Sequence, residues 1–165
     1  MPAAGKSVQL QIRVSPAEKA AIQRAARRAG LGMSAYVLAR ALPALPRRFE
    51  ALTASCLDAE GARFALAELN TWLADLGAGE LRDAVATPLP PGLTPYLANY
   101  VAAMVEYACA QRGVAPPAWT RGIAPLAEPA FGSTLASLRL HLLTHSPPPF
   151  RRRNIFIDSS VGARV

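Results

Sequence analysis

The N-terminal fold is decided by the stretch Val8-Gln9-Leu10-Gln11-Ile12-Arg13-Val14 and by Ser15-Pro16-Ala17-Glu18, which follows it. Apolar and polar side chains alternate through the first seven residues, and successive side chains of a strand point to opposite faces. The pattern therefore predicts a strand whose polar face carries Gln9, Gln11 and Arg13. Because one short strand is not stable alone, we expect it to pair with the same strand of a second copy of the chain.

A helix is predicted directly after this strand. Ser15 and Glu18 have the spacing of a capping box, and Pro16 suits the first helical position because its missing N–H has no acceptor there. The helix should run to about Ala29, where Gly30 provides a C-terminal cap.

A second helix is predicted over residues 35–42, with Ser34 as its N-cap. The proline-containing residues 43–48 then form a short connector. We place the domain boundary at residue 48, between an N-terminal domain of residues 1–48 and a mostly helical domain of residues 49–165. The fold class expected for the whole chain is mainly α.

Positive charge is concentrated at the N-terminus. The 165 residues have a formal net charge of +7. Residues 1–48 contain nine Lys or Arg and a single acid, whereas residues 49–128 sum to −5 and residues 129–165 to +4. Such a distribution is expected of an N-terminal segment that meets a polyanion such as nucleic acid.

Composition and motifs exclude several classes of protein. Cys56 and Cys109 form no CxxC pair, so we expect reduced, buried thiols rather than a disulfide framework. No apolar run reaches the length of a membrane span, and we expect a cytoplasmic, nucleoid-associated protein with no membrane partner. The chain lacks a G-x-S-x-G elbow, a Walker loop and a dinucleotide fingerprint, so we expect neither an enzyme nor a bound cofactor. His141 and His145 have a spacing that can suit a metal, but neighbouring Cys, Asp or Glu ligands are absent, and we expect no metal site.

The segments Ile12–Lys19 and Ala29–Val37 resemble the ribbon-helix-helix family of DNA-binding proteins, the architecture of the Arc and MetJ repressors. The resemblance covers about residues 7–45. It extends to two branches of the family, the antitoxins of bacterial toxin–antitoxin operons and the accessory proteins of plasmid relaxosomes. It implies a homodimer whose antiparallel ribbon enters the major groove of double-stranded DNA.

The resemblance also implies roles for individual residues. Gln9, Gln11 and Arg13 carry over as base-contacting residues, and their side chains suit adenine and guanine edges. The N-terminus of the second helix would hold a backbone phosphate with free amides. The residues expected to contact phosphates are Lys6, Arg28, Ser34 and Ala35.

The C-terminal domain is predicted to be helical over most of its length, with a helix from Thr94 to about Arg112 and a last helix over residues 133–145. Residues 114–132 should form an irregular strap held down by aromatic side chains. An extended proline run and a short strand, Ile155 to Ile157, should follow.

Apolar residues flank three consecutive arginines near the C-terminus, which suits a segment that docks on another protein. A solvated basic turn is the alternative. The residues expected to bind a partner are Phe150, Arg151, Arg152, Arg153, Ile155 and Phe156.

The main functional hypothesis from sequence is an antitoxin that represses its own operon and neutralises a partner toxin through residues 49–165. The alternative is an accessory protein of plasmid mobilisation that binds near the transfer origin. A further alternative is a repressor whose helical domain senses a small ligand.

Overall fold

The computed structural model describes residues 11–41 and 44–158. They belong to two compact units, residues 1–43 and 44–165. The fold is mainly α: the described ranges contain eight α-helices and one two-stranded sheet. The helices are α1 (Pro16–Arg28), α2 (Met33–Ala41), α3 (Ala44–Ser55), α4 (Ala62–Asp75), α5 (Ala78–Ala84), α6 (Pro95–Gln111), α7 (Arg139–His145) and α8 (Pro148–Arg151).

Helix α1 begins and ends as predicted. The Ser15 N–H donates to the Glu18 carboxylate at 2.7 Å, and the Glu18 N–H donates to the Ser15 hydroxyl at 3.3 Å, which completes the capping box. At the other end, Gly30 adopts a φ of 65° and the Leu31 N–H donates to the Ala26 carbonyl at 3.0 Å. Glycine adopts this left-handed conformation at little cost, so the chain can turn towards α2.

Helix α2 begins two residues earlier than predicted, at Met33. The Tyr36 N–H donates to the Gly32 carbonyl at 2.9 Å, so helical bonding starts from Gly32. The prediction that Ser34 is the N-cap is therefore wrong, because Ser34 already lies in the first turn.

The predicted strand is described only from residue 11 onwards. Residues 11–15 have no regular secondary structure in the single chain, and residues 8–10 lie outside the described ranges. A strand requires hydrogen bonds to a neighbouring strand, so pairing with a second copy stays a prediction.

In the C-terminal unit, α3 starts at Ala44, so residues 44–48 are helical rather than a connector. Pro46 lies at the third position, where a helix has no acceptor for an N–H, and it therefore costs no helical hydrogen bond. The sequence placed the boundary at residue 48, whereas the compact units divide after Pro43. Helix α3 packs against α4 and α5, and both of these pack against α6.

Helix α6 lies at the centre of this unit. The Thr94 hydroxyl accepts from the Leu97 N–H at 3.3 Å, and Pro95 occupies the first turn, as the sequence predicted. Eight of its residues are buried, among them Val101 and Val105. Other large side chains of the same core are Phe49, Leu69, Leu73, Leu81, Phe150 and Ile155.

The strap over residues 114–132 is held by aromatic side chains, as expected. The Trp119 indole N–H donates to the Val85 carbonyl at 2.8 Å, and the Phe131 ring stacks on Phe156 with centroids 5.2 Å apart. The strap contains a 3-10 helix, Ala118–Gly122. Its last residues form β1 (Ala130–Phe131), which pairs in parallel with β2 (Ile155–Phe156).

Two predictions for the C-terminal segment are corrected by the structure. The proline run is not extended, because residues 148–151 form α8, where the Phe150 N–H donates to the Pro147 carbonyl at 3.0 Å. Proline has a backbone angle that already fits a first helical turn. The last predicted helix is shorter than expected, since α7 starts at Arg139 after a 3-10 turn over residues 136–138.

Candidate nucleic-acid interface

The side chains predicted to read bases are accessible where the structure describes them. Gln11 and Arg13 are both exposed, directly before the capping box of α1. Gln9 and the predicted phosphate-contacting Lys6 lie outside the described residues. The structure thus brings Gln11 and Arg13 to the surface of the N-terminal unit.

The described part of the N-terminal unit, residues 11–41, has six basic side chains and one acid. That acid, Glu18, belongs to the capping box, and hydrogen bonds from the Ser15 backbone and hydroxyl lower its pKa. No ion pair forms among these residues. The positive charge of this surface is therefore not neutralised within the unit. Its exposed cations include Arg24, Arg27 and Arg28 on α1.

The N-terminus of α2 is open to solvent. Ser34 and Ala35 are exposed and lie in its first turn, where backbone N–H groups have no acceptor within the helix. The first turn contains no acidic side chain. Such a turn suits an anion, because its N–H groups and the positive end of the helix dipole act together.

Apolar side chains of the same unit are also exposed. The exposed fraction is 60% for Ile12, 44% for Val14, 45% for Leu31 and 40% for Met33. Among the residues of this unit whose side chains the structure describes, only Ala26 is buried. The described residues of this unit therefore provide no core that covers the apolar side of the alternating segment.

Three of the six residues predicted to bind a partner protein are buried in the C-terminal unit. Phe150, Arg153 and Ile155 expose only 4%, 5% and 0% of their surface. Phe150 and Ile155 belong to the core, so neither is an exposed anchor for a partner protein. Phe156 is half-buried against Phe131, and of the six residues only Arg151 and Arg152 are fully exposed.

Arg153 is the centre of a buried polar network. Its guanidinium donates to both carboxylate oxygens of Glu106, at 2.6 and 3.4 Å, and to the Asn99 side-chain oxygen at 3.0 Å. It also donates to the carbonyls of Thr120 at 2.8 Å and Ile123 at 3.4 Å. These contacts tie α6 and the strap to the segment after α8. Sequence reasoning missed the network, although two polar residues within the apolar face of α6 could have indicated it.

The two histidines lie side by side on α7, with ring centroids 4.1 Å apart. His141 Nε2 lies 3.1 Å from a carboxylate oxygen of Asp158. Within residues 11–41 and 44–158, no group of three or more His, Cys, Asp or Glu side chains is placed to hold a metal ion. Cys56 and Cys109 are buried free thiols, as expected, and burial raises the pKa of both.

A groove with three adjoining depressions of about 550, 410 and 280 Å³ follows one side of α6. The first two share Tyr96 and Tyr100, and the last two share Met104 and Tyr107. Burial and the neighbouring Tyr96 raise the pKa of Tyr100 to about 12. This phenol is therefore neutral at physiological pH.

No helix in the described part of the chain is long and apolar enough to cross a membrane. Neither a curated protein nor a solved structure is significantly similar to the chain. Residues 4–50, which span the candidate interface and the start of α3, match the protein family described as NikA-like, mobilization protein NikA.

Proposed function

We propose that this chain is a DNA-binding accessory protein of plasmid mobilisation, which acts as a ribbon-helix-helix homodimer near a transfer origin. The observation that carries the proposal is the match of residues 4–50 to a mobilization protein family. The matched segment resembles both branches of the ribbon-helix-helix family, and the family model that matches it describes a mobilization protein. The match therefore favours the mobilisation alternative over the antitoxin hypothesis.

Exposure of the apolar side chains supports the proposed dimer. A unit with one buried residue among its described side chains cannot bury enough apolar surface with those residues to be stable alone. Pairing of two N-terminal segments would cover Ile12 and Val14 and leave Gln11 and Arg13 on the outer face. A two-stranded ribbon of this kind fits the major groove.

The proposed phosphate contacts come from a different element. The first turn of α2, with Ser34 and Ala35, would bind a backbone phosphate through its free N–H groups. Arg28 and the other exposed arginines of α1 add positive charge. We expect these contacts to position the ribbon on the DNA, and we expect the side chains of the strand to read the base sequence.

The C-terminal unit has a core of its own, and we propose that it carries the contacts to a protein partner. In a relaxosome, that partner would be the relaxase, which the DNA-bound dimer recruits. The groove along α6, lined by Tyr96, Tyr100 and Tyr107, is accessible for such a contact.

A gel-shift experiment with the Arg13→Ala variant tests the ribbon. Tiled duplexes from the replicon that encodes the chain would first locate the preferred site, at the transfer origin or at the promoter of its own gene. At that site, the variant should lose about 1–3 kcal/mol of binding free energy and base preference at one position per half-site.

The matched control is Arg24→Ala, which removes an exposed arginine of α1 and should weaken all duplexes equally. Unchanged specificity of the Arg13→Ala variant would exclude the strand as the reader. Preference for the promoter alone, with no relaxase recovered on co-purification, would contradict the mobilisation role.

A further inference from the structure

Charged side chains are segregated within the C-terminal unit. Residues 44–83, which include α3 to α5, contain seven acids and four arginines. Residues 84–158 contain six arginines and three acids. Two of these three acids are already engaged, since Glu106 pairs with Arg153 and Asp158 with His141. The later half of this unit therefore has excess positive charge.

Four arginines of this half are exposed: Arg121, Arg139, Arg151 and Arg152. Arg139 lies over the Phe131 ring, 5.3 Å from its centroid, whereas no aromatic ring of the described residues lies under the other three. No carboxylate of the described residues lies within ion-pair distance of any of them. The excess charge is thus presented to solvent.

The buried Arg153 connects the segments that carry Arg121, Arg151 and Arg152. Its guanidinium bonds the carbonyls of Thr120 and Ile123, which flank Arg121 in the chain. Arg151 and Arg152 directly precede Arg153, and their N–H groups bond the carbonyls of Pro147 and Pro148. Arg153 therefore ties the segment that carries Arg121 to the segment that carries Arg151 and Arg152.

We propose that Arg121, Arg151 and Arg152 form a second phosphate-binding surface, through which the C-terminal unit contacts the backbone of double-stranded DNA. The proposal rests on the proposed function, because it assumes that the N-terminal unit holds the chain on DNA. The guanidinium group suits this role, since it stays charged and its fork of N–H donors matches phosphate oxygens. The surface contributes affinity without sequence preference.

The burial of neighbouring residues favours DNA over a protein as the partner of this surface. A protein interface is centred on apolar or aromatic anchors that enter pockets. The candidates for such anchors, Phe150 and Ile155, are buried in the core. The exposed side chains that follow Phe150 directly in the chain are Arg151 and Arg152, whose charge phosphates can neutralise with release of counterions.

The test is the salt dependence of DNA binding by the full-length chain. The Arg151→Gln/Arg152→Gln variant would be titrated against a random-sequence duplex several helical turns long, with fluorescence anisotropy at increasing salt. Each lost phosphate contact reduces the slope of log K against log salt by about 0.9. We expect a reduction of about 1.8 per chain for the double variant, which is about 3.6 for the homodimer, and a further reduction of about 0.9 per chain on adding Arg121→Gln.

Arg63→Gln/Arg82→Gln is the matched control, because it removes two exposed arginines from the acidic half of the same unit. Its slope should equal that of the unaltered chain. An equal reduction in both double variants would show an effect of net charge and would overturn the proposal. An unchanged slope for Arg151→Gln/Arg152→Gln would also overturn the proposal. This holds even if that variant no longer binds a protein partner. If the unaltered chain binds no duplex at all, the proposed function fails as well.

Discussion

The two units of this chain differ in what each needs in order to be stable. The described part of the N-terminal unit buries only Ala26 and leaves Ile12 and Leu31 exposed. The C-terminal unit buries a continuous apolar core on α3 to α6 and closes it with β2. The comparison teaches that the described residues of the first unit do not cover their own apolar side chains, whereas the second unit forms a core from its own residues.

The units also treat arginine differently. On α1 the arginines are exposed, where they remain free to meet an anion. In the C-terminal unit, Arg153 is buried and satisfied by Glu106, Asn99 and two carbonyls. The same side chain is therefore exposed on α1 and, at Arg153, part of the internal structure of the C-terminal unit.

The largest expected effect comes from Arg153→Met. The Glu106 carboxylate is only 14% exposed, and it would lose its charged partner. The free energy of unfolding of the C-terminal unit should fall by about 3–5 kcal/mol, as for other buried ion pairs that lose one member. Urea denaturation followed by tryptophan fluorescence reports on this unit alone, because Trp72 and Trp119 both belong to it.

The neighbouring Arg152→Met provides the control, since Arg152 is exposed and its loss should cost no more than about 0.5 kcal/mol. A second variant, Arg153→Met with Glu106→Leu, should recover part of the loss because no charge is then left buried. Equal destabilisation by Arg152→Met and Arg153→Met would refute the structural role of the network.

A smaller effect is expected from Ile12→Ala in the N-terminal unit. If a second copy covers Ile12, truncation should weaken the dimer by about 2–3 kcal/mol for the two side chains together, because a two-stranded ribbon covers them only in part. The dimer dissociation constant from analytical ultracentrifugation measures this effect. Gln11→Ala is the control on the opposite face of the same segment, and it should leave dimerisation unchanged while altering DNA binding. A dimer unaffected by Ile12→Ala would mean that this side chain is not covered by a second copy.

The features that could be predicted from the sequence depend on neighbouring residues. The capping box of Ser15 and Glu18 and the start of α6 at Thr94 are local, because the bonding groups lie within three residues of one another. The role of Arg153 is not local, since its partner Glu106 lies 47 residues away and only the packing of α6 brings them together. For the same reason, the sequence alone does not predict which of the three consecutive arginines is buried and which are exposed.

The candidate interface shows the same limit. Alternation predicts that Gln11 and Arg13 face away from Ile12, and both are exposed in the structure. Alternation does not specify what packs against Ile12, and the described residues of this unit leave that side chain 60% exposed. Such a contact depends on packing between distant residues or molecules, which a local sequence pattern does not encode.

The smallest effect on stability at neutral pH is expected from Tyr100→Phe, which alters only the C-terminal unit. Burial first, and the neighbouring Tyr96 second, raise the pKa of Tyr100 to about 12, against about 10 in an unfolded chain. Between these values, the unfolded chain has lost a proton that the folded unit still binds. The stability contributed by the neutral phenol is therefore complete below pH 10 and is lost as the pH rises towards 12.

Urea unfolding of the C-terminal unit at a series of alkaline pH values measures this loss, and tyrosinate absorbance follows the ionisation directly. Tyr100→Phe should make stability fall less steeply with pH, while a fall in the same direction remains because burial also raises the pKa of Tyr96, Cys56 and Cys109. Tyr36→Phe, in the N-terminal unit, should leave the curve unchanged. If Tyr100→Phe gave the same pH dependence as the unaltered chain, the phenol would already ionise freely in the fold. The groove along α6 would then be more open to water than its packing indicates.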